Sequence, residues 1–151
     1  MIDSTESTKR HIFRVHDLLD EVTSELQTRR VNHDRSKYEE PEKSAFDRLE
    51  ALKLSTVVYG SDEYKAALAA EKPAIQHHYE VNDHHPEHYP DGIAGMSLLA
   101  LIEMLADWKA AGERMHGGNM HDSIDKNIER FGIEPQLARI LVNTARELGW
   151  L

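Results

Sequence analysis

Histidines crowd the middle of the chain. Five of the ten histidines fall within twelve residues, namely His77, His78, His84, His85 and His88. Imidazole is the commonest metal ligand in proteins and changes charge near neutral pH, so clustered histidines either repel one another or share a cation. Pro86 and Pro90 stiffen the loop that follows, and metal sites need ligands on stiff supports. The segment therefore predicts a ligand-bearing helix end followed by a rigid loop, rather than a solvated loop.

Three further positions carry metal-ligand side chains. His33 and Asp34 are adjacent, so an imidazole nitrogen and a carboxylate oxygen can face one divalent cation if other helices supply more ligands. His11 falls inside the apolar stripe of a predicted helix, where it either binds a metal or is a core histidine bonded to a backbone carbonyl. Asp107 lies four residues after Glu103 on another helix, where the pair lies either beside a cation or on a solvated face.

His78 is preferred over His77 as the inward-facing histidine. His78 shares a helical stripe with Tyr64, Leu68 and Ile75, whereas His77 does not. The acidic run at Glu39, Glu40 and Glu42 is interpreted as a solvated face.

Composition limits the function. The chain has 18 Lys plus Arg and 27 Asp plus Glu, and its net charge of −9 argues against strong nucleic-acid binding and against anionic membranes. A protein of this charge that handles phosphorylated molecules needs metal ions. The absence of cysteine excludes disulfides, thiolate metal sites and a cysteine nucleophile. No apolar run predicts a transmembrane helix or a signal peptide, so a cytoplasmic protein is expected.

The hydrophobic periodicity predicts one all-α domain over residues 1–151, built from about six helices. The predicted helices are Thr8–Arg29, Glu42–Val58, a helix capped by Ser61 that reaches Tyr79 with a kink at Pro73, Met96–Ala111, a helix capped by Asn119 that ends at Phe131, and Pro135–Leu148. The helix over Met96–Ala111 is expected to be central, because one side carries Leu98, Leu101, Ile102, Leu105 and Trp108.

The order of the candidate ligands resembles the HD superfamily of metal-dependent phosphohydrolases. Residues 11–15 (His-Ile-Phe-Arg-Val) resemble the His-x-x-Arg-Val opening of the HD-GYP branch, and residues 33–37 (His-Asp-Arg-Ser-Lys) resemble its His-Asp-Ile-Gly-Lys element. His84-His85-Pro86-Glu87, Asp91-Gly92 and Ala106-Asp107 resemble further elements of the same branch. The Gly-Tyr-Pro triplet is absent, which argues against cyclic-dinucleotide hydrolysis, and Ser36 replaces a glycine. The interval from His78 to His84 is also shorter than in that branch. The whole sequence also resembles a family of small uncharacterised bacterial and phage proteins with the same histidine-rich segments.

The HD resemblance implies a helical HD-like bundle and a ligand set. The metal ligands would be His11, His33, Asp34 and Asp107, with His78, His84 and, as an open alternative, His85 completing a second position. Lys37 would face phosphate, and His85 or His88 would act as general acid or base. A nitrogen and oxygen ligand set without thiolates suits one or two ions of Mn, Fe, Co, Ni or Zn.

The implied activity is hydrolysis of a nucleotide or another small phosphoester by a metal-activated water. One alternative is an HD-type di-iron oxygenase, and another is a non-enzymatic helical metal-binding protein. The expected partner is a small phosphorylated substrate, and a homo-oligomer is left open.

Overall fold

The all-α class is confirmed by a computed structural model, which describes residues 3–52, 61–115 and 117–151. These residues form α-helices and short 3-10 helices, and they contain no strand. The seven α-helices within these ranges are α1 (Thr5–Asn32), α2 (Glu42–Ala51), α3 (Asp62–Ala70), α4 (Lys72–Val81), α5 (Leu98–Arg114), α6 (Met120–Phe131) and α7 (Pro135–Glu147). None of the described helices is long and apolar enough to cross a membrane.

The chain divides into two compact units, residues 1–33 and residues 34–151. The first unit is essentially α1, a continuous helix of 28 residues that extends the predicted helix at both ends. No residue of α1 is buried. A lone helix has no core of its own, so this division does not by itself define a second domain.

The predicted helix from Ser61 to Tyr79 is two helices. Ser61 caps α3 as expected, since its hydroxyl accepts a hydrogen bond from the backbone N–H of Tyr64 at 3.2 Å. The helix ends at Ala70, and α4 begins at Lys72 with Pro73 in its first turn. Proline lacks the N–H that a helix interior needs, but it is tolerated in the first turn, so the chain restarts there instead of kinking. The predicted end of the second helix, with Val58 and the stop at Tyr59-Gly60, lies outside the described residues.

Helices α5, α6 and α7 enclose the main core of the second unit. Its buried members are Leu101, Met104, Leu105, Trp108, Met120, Ile124, Ile133, Leu141 and Ala145. Helix α5 is central, as predicted, but Met104 is buried whereas Leu98 is 74% and Ile102 is 40% exposed. The buried stripe of α5 is thus rotated slightly from the predicted one.

A second group of buried residues lies where α2 packs against α4. On α2 the buried residues are Glu42, Ala45 and Leu49, and on α4 they are Ala74 and His78. The α2 residues recur at steps of three and four, which is the spacing of one helix face. This face therefore brings a carboxylate to the helix that carries His78.

Candidate metal centre

Asp34 occupies an unusual backbone position. Its φ of 54° and ψ of 20° lie in the left-handed region, which asparagine and aspartate tolerate better than most residues do. The 3-10 helix Arg35–Tyr38 begins immediately after it. Non-glycine residues in this conformation cluster at functional sites.

The Asp34 carboxylate lies among two histidines and a lysine. Its Oδ1 is 3.4 Å from Nε2 of His78 and 3.4 Å from Nε2 of His84. Its Oδ2 accepts a hydrogen bond from Nζ of Lys37 at 2.5 Å. One oxygen thus faces two imidazoles while the other is held by a cation.

His78 presents its two nitrogens to different neighbours. Its Nδ1 lies 2.8 Å from Oε2 of Glu42, and its Nε2 lies 2.9 Å from Nε2 of His85. A carboxylate only accepts, so Nδ1 of His78 carries the proton. The Nε2 lone pair is consequently directed towards Asp34 and His85.

His84 and His85 follow α4 in the Pro-bounded loop. His84 is only 2% exposed, and its Nδ1 lies 3.4 Å from Oε1 of Glu103 on α5. The His85 ring packs against those of His84 and His78, with centroid distances of 4.2 and 4.7 Å. His84 therefore repeats the arrangement of His78, with a carboxylate at Nδ1 and Asp34 at Nε2.

Asp34, His78, His84 and His85, hereafter the His/Asp cluster, have ligand atoms that lie within 4.8 Å of one another. Ligands about 2.1 Å from an ion lie about 3.0 Å apart in an octahedron and about 3.4 Å apart in a tetrahedron. The His78 Nε2 distances of 2.9 Å to His85 and 3.4 Å to Asp34 match this range. Metal-binding histidines also typically donate their other ring nitrogen to a carboxylate. The donor set therefore fits a divalent metal ion.

Burial keeps the imidazoles of His78 and His85 neutral. Burial lowers the pKa of His85 to about 3, and protonation of His84 or His78 would lower the pKa of His85 further. Burial, followed by the positive charge of Lys37, lowers the pKa of His78. Metal ions bind deprotonated imidazole, so these side chains are in their ligand form at neutral pH.

Glu42 is a site residue that the sequence-based prediction missed. The prediction of a solvated face is wrong for this residue, because Glu42 is fully buried. Its carboxylate accepts hydrogen bonds from Nδ1 of His77, Nδ1 of His78 and Oγ of Ser36 at 2.8, 2.8 and 2.9 Å. The available signal was spacing, since Glu42 lies three residues before Ala45 on the apolar face of α2.

Asn82, at the end of α4, hydrogen-bonds to the 3-10 helix Arg35–Tyr38 that follows Asp34. Its side-chain amide donates to Oγ of Ser36 at 2.9 Å and to the carbonyl of His78 at 2.8 Å. Ser36, Glu42 and Asn82 thus form a partly buried hydrogen-bond network that holds His78 in place. The sequence contained no signal for Asn82 or Ser36.

A cavity of about 740 Å³ adjoins the cluster. Lys37, His85 and Asp107 line it, together with Lys126 and Arg130 of α6. Aromatic rings form much of the remaining wall, namely Tyr38, Phe46, Tyr64, Tyr79, Trp108 and Phe131. Four further acidic residues also line the cavity, namely Asp47, Glu50, Glu87 and Asp122. The cavity therefore combines charged groups of both signs with aromatic rings, next to a metal-type ligand set.

A family model described as a family of unknown function, DUF5662, matches residues 1–147. The chain belongs to the DUF5662 family. No curated protein matches the chain, and no solved structure does. The DUF5662 match includes every residue of the His/Asp cluster and of the Glu42 network.

The structure of this DUF5662 chain confirms that His78 faces inward. His78 is 4% exposed. The side chain of His77 is 40% exposed, although it also contacts Glu42. The ligand roles of His78 and His84 remain predictions, now supported by their place in the cluster.

His11 and His33 do not share an ion within one chain. Both lie on or at the end of the continuous helix α1, and 22 residues at 1.5 Å per residue separate them by about 33 Å. The prediction that His11 and His33 belong to one ligand set is therefore wrong. His33 ends α1, donates its backbone N–H to the carbonyl of Arg29, and directly precedes Asp34. A ligand role for His33 remains a prediction.

His88 is not in the cavity wall. Its ring is exposed, and its Nδ1 donates to the backbone carbonyl of Tyr79 at 3.2 Å. His88 is the last residue of the short 3-10 helix Pro86–His88. The acid or base role of His88 stays a prediction, and of the two alternatives His85 is the one that lines the cavity.

Glu103 and Asp107 both face the site from α5. Glu103 contacts Nδ1 of His84, so it is not a solvated bystander. Asp107 has a carboxylate oxygen within 4.8 Å of one of Asp34, and it lines the cavity. The four-residue spacing thus places one carboxylate behind a histidine and the other at the cavity.

Proposed function

We propose that this DUF5662 protein is a divalent-metal-dependent phosphohydrolase that acts on a nucleotide or another small phosphoester. The observation that carries the proposal is that His85 belongs both to the His/Asp cluster and to the wall of the cavity. A ligand in that cavity would lie directly beside an ion held by the cluster. The order of His33, Asp34 and Asp107, which resembles that of HD phosphohydrolases, supports the same assignment.

The residues that would hold the ion are Asp34, His78, His84 and His85. Asp107, whose carboxylate lies close to that of Asp34, would be a further ligand, as the HD resemblance implies. A nitrogen and oxygen ligand set of this kind suits Mn, Fe, Co, Ni or Zn. When bound, such an ion polarises phosphoryl oxygens and lowers the pKa of water by several units. The role of Glu42 and Glu103 is to orient His78 and His84 so that both Nε2 atoms face Asp34.

Lys37 is the group best placed to hold a phosphoryl oxygen. Its ammonium donates one hydrogen bond to Asp34, lies 4.8 Å from the centroid of the Phe46 ring, and lines the cavity. An ammonium has three N–H donors, so two remain for a substrate. In a chain of net charge −9, a local cation of this kind is needed to attract phosphate.

A metal measurement tests the first half of the proposal. Purified wild-type protein is expected to retain a transition metal by elemental analysis, and chelation is expected to lower its melting temperature. Asp34→Asn keeps a side chain suited to the left-handed backbone but loses the carboxylate, so it should lose the metal. Asp91→Asn, at an exposed aspartate, is the matched control and should keep it. Full metal occupancy in Asp34→Asn would overturn the assigned cluster.

An activity screen tests the second half. Nucleoside mono- and triphosphates and simple phosphoesters are incubated with Mn, Co, Fe or Zn, with and without oxygen, and phosphate release is followed. Release without oxygen is the expected result. A donor set of histidine and carboxylate also suits iron oxygenases, so turnover that needs both oxygen and iron would move the protein to that class. Metal retention without turnover of any phosphate compound would favour a non-enzymatic metal-binding protein.

A further inference from the structure

Helix α6 presents a hydroxyl, a carboxamide and an aromatic ring to the cavity. These groups belong to Ser123, Asn127 and Phe131, which lie at steps of four residues and all line the cavity. Residues four apart lie on the same side of an α-helix, about 6 Å from one another along its axis. A ligand that lies along α6 therefore meets polar groups at one end of this stripe and an aromatic face at the other.

Asn127 is a buried polar residue with unused hydrogen-bonding groups. It is 6% exposed, and the other buried residues of α6 are Met120 and Ile124. Its amide donates to the carbonyl of Ser123 at 2.9 Å, and this is its only hydrogen bond within the described part of the chain. A carboxamide has two N–H donors and an accepting oxygen, so one donor and the acceptor remain. A buried polar group without a partner costs free energy, which a ligand in the cavity would recover.

Ser123 adds a second hydrogen-bonding group one helical turn before Asn127. It is half-buried, and its hydroxyl makes no hydrogen bond among the described residues. A hydroxyl can both donate and accept. The two side chains together can therefore pair with a ligand edge that carries both donors and acceptors.

Two aromatic rings connect this stripe to the part of the cavity beside the cluster. The rings of Trp108 and Phe131 are nearly parallel, with 5° between their planes and 6.3 Å between their centroids, and both line the cavity. Trp108 directly follows Asp107 on α5. Aromatic faces bind flat ring systems by stacking. The metal end of the cavity is the part beside the cluster, and it is lined by Lys37, His85 and Asp107.

Away from the metal end, the charges of the cavity wall are balanced. The described wall there has four cationic residues, Lys43, Arg114, Lys126 and Arg130, and four acidic residues, Asp47, Glu50, Glu87 and Asp122. Three ion pairs form among them, namely Lys43–Asp47, Arg114–Glu50 and Arg130–Glu87. A second or third phosphate group in this region would compete with the carboxylates of these pairs and repel them. This part of the cavity therefore suits a neutral group.

We infer that the cavity takes a phosphomonoester whose alcohol part is a neutral ring system with a hydrogen-bonding edge, and that Asn127 and Ser123 bind this edge. Nucleoside 5′-monophosphates have this chemistry, whereas nucleoside triphosphates and simple sugar phosphates do not. The inference rests on the proposed function for the place of the phosphate at the metal end. It adds which part of the substrate α6 recognises.

Turnover of matched substrates tests the inference on the metal-loaded full chain. The four common nucleoside 5′-monophosphates are compared with ribose 5-phosphate, which lacks the base, and with adenosine triphosphate, which adds two phosphates. One hydrogen bond is worth roughly 2–10-fold, so at least one monophosphate should exceed both comparators in kcat/KM by about 10-fold. Equal values for the monophosphates and ribose 5-phosphate, or a preference for adenosine triphosphate, would overturn the inference.

Substitution of Asn127 tests the residue itself. Asn127→Leu keeps the branched shape but removes both hydrogen-bonding groups, so the preference for the monophosphate over ribose 5-phosphate should fall by about 10-fold. Turnover of ribose 5-phosphate and metal content should not change. Asn143→Leu, at an exposed asparagine of α7 outside the cavity wall, is the matched control. Ser123→Ala is a smaller change that should lower the same preference about 3-fold. An unchanged preference in both cavity variants would overturn the assignment.

Equilibrium binding separates this inference from the proposed activity. The four parent nucleosides, which carry no phosphate, and ribose are titrated into the wild type and into Asn127→Leu by calorimetry. At least one nucleoside should bind the wild type more tightly than ribose does and should bind Asn127→Leu about 10-fold more weakly. This result is expected whether or not phosphate release is detected. Absence of nucleoside binding to the wild type would overturn the inference, whereas absence of phosphate release from every compound would contradict the proposed function.

Discussion

The buried carboxylate of Glu42 lies 2.8 Å from Nδ1 of His78, and this contact determines which nitrogen of that ring is available to a ligand. With the proton on Nδ1, the Nε2 lone pair faces Asp34. Glu103 stands in the same relation to His84, at 3.4 Å. The carboxylates of Glu42 and Glu103 therefore contact the Nδ1 atoms of the two histidines. The carboxylate of Asp34 lies near both of their Nε2 atoms.

Replacement of Glu42 tests this relationship. Glu42→Gln keeps the size of the side chain but removes the charge that holds the proton on Nδ1 of His78. Loss of such an orienting contact typically weakens metal affinity by about 10–100-fold. Titration against a competing chelator measures the affinity. The neighbouring Glu39→Gln is the control, because Glu39 is exposed and should leave the affinity unchanged. Equal affinity in both variants would show that Glu42 does not position His78.

The two acids of α5 are expected to differ in effect. Asp107 lies close to Asp34 and lines the cavity, whereas Glu103 contacts the outer nitrogen of His84. Asp107→Asn should therefore lower the bound metal content more than Glu103→Gln does. For Glu103→Gln, a loss of about 10–100-fold in metal affinity is expected. Elemental analysis of the two purified variants makes the comparison. Complete loss of the metal in both variants would show that Glu103 is a direct metal ligand.

Lys37 is expected to affect turnover but not metal content. Lys37→Ala removes the cation from the cavity wall, and loss of one preorganised donor to a developing negative charge typically lowers turnover by roughly 10²–10³-fold. The Asp34 carboxylate stays and loses its competing cation, so the metal should remain bound. Phosphate release and metal content are measured on the same preparations. Lys65→Ala, at an exposed lysine of α3, is the control. Normal turnover in Lys37→Ala would remove Lys37 from the mechanism.

The core of the second unit is expected to depend on α5. Leu105 is 1% exposed, so Leu105→Ala leaves a cavity and should lower the free energy of unfolding by about 2–5 kcal/mol. Leu98 on the same helix is 74% exposed, and Leu98→Ala should change it by no more than about 0.5 kcal/mol. Urea unfolding followed by circular dichroism gives both values. Similar values for the two variants would contradict the observed burial.

Features that depend on neighbouring residues in the sequence were predictable. Ser61 and Asn119 accept hydrogen bonds from the backbone of the first turns of α3 and α6, as their types predict. Gly132 closes α6 with a φ of 59°. Caps and periodicity act within a few residues, so the sequence alone determined the all-α class and, to within one residue, the ends of α6 and α7. The inward position of His78 was also predicted correctly, although two residues of the stripe used to predict it, Tyr64 and Leu68, lie on α3 and not on the helix of His78.

The assembly of the site was decided by tertiary structure. Glu42 looked like one member of an acidic run, and only the packing of α2 against α4 shows that it is buried against His77 and His78. His11 looked like a ligand beside His33, but α1 continues without a break and separates the two by about 33 Å. Residue types and spacing indicate which side chains can bind a metal. Which of them meet depends on where helices stop and on which faces pack, and both are determined by contacts between residues distant in the chain.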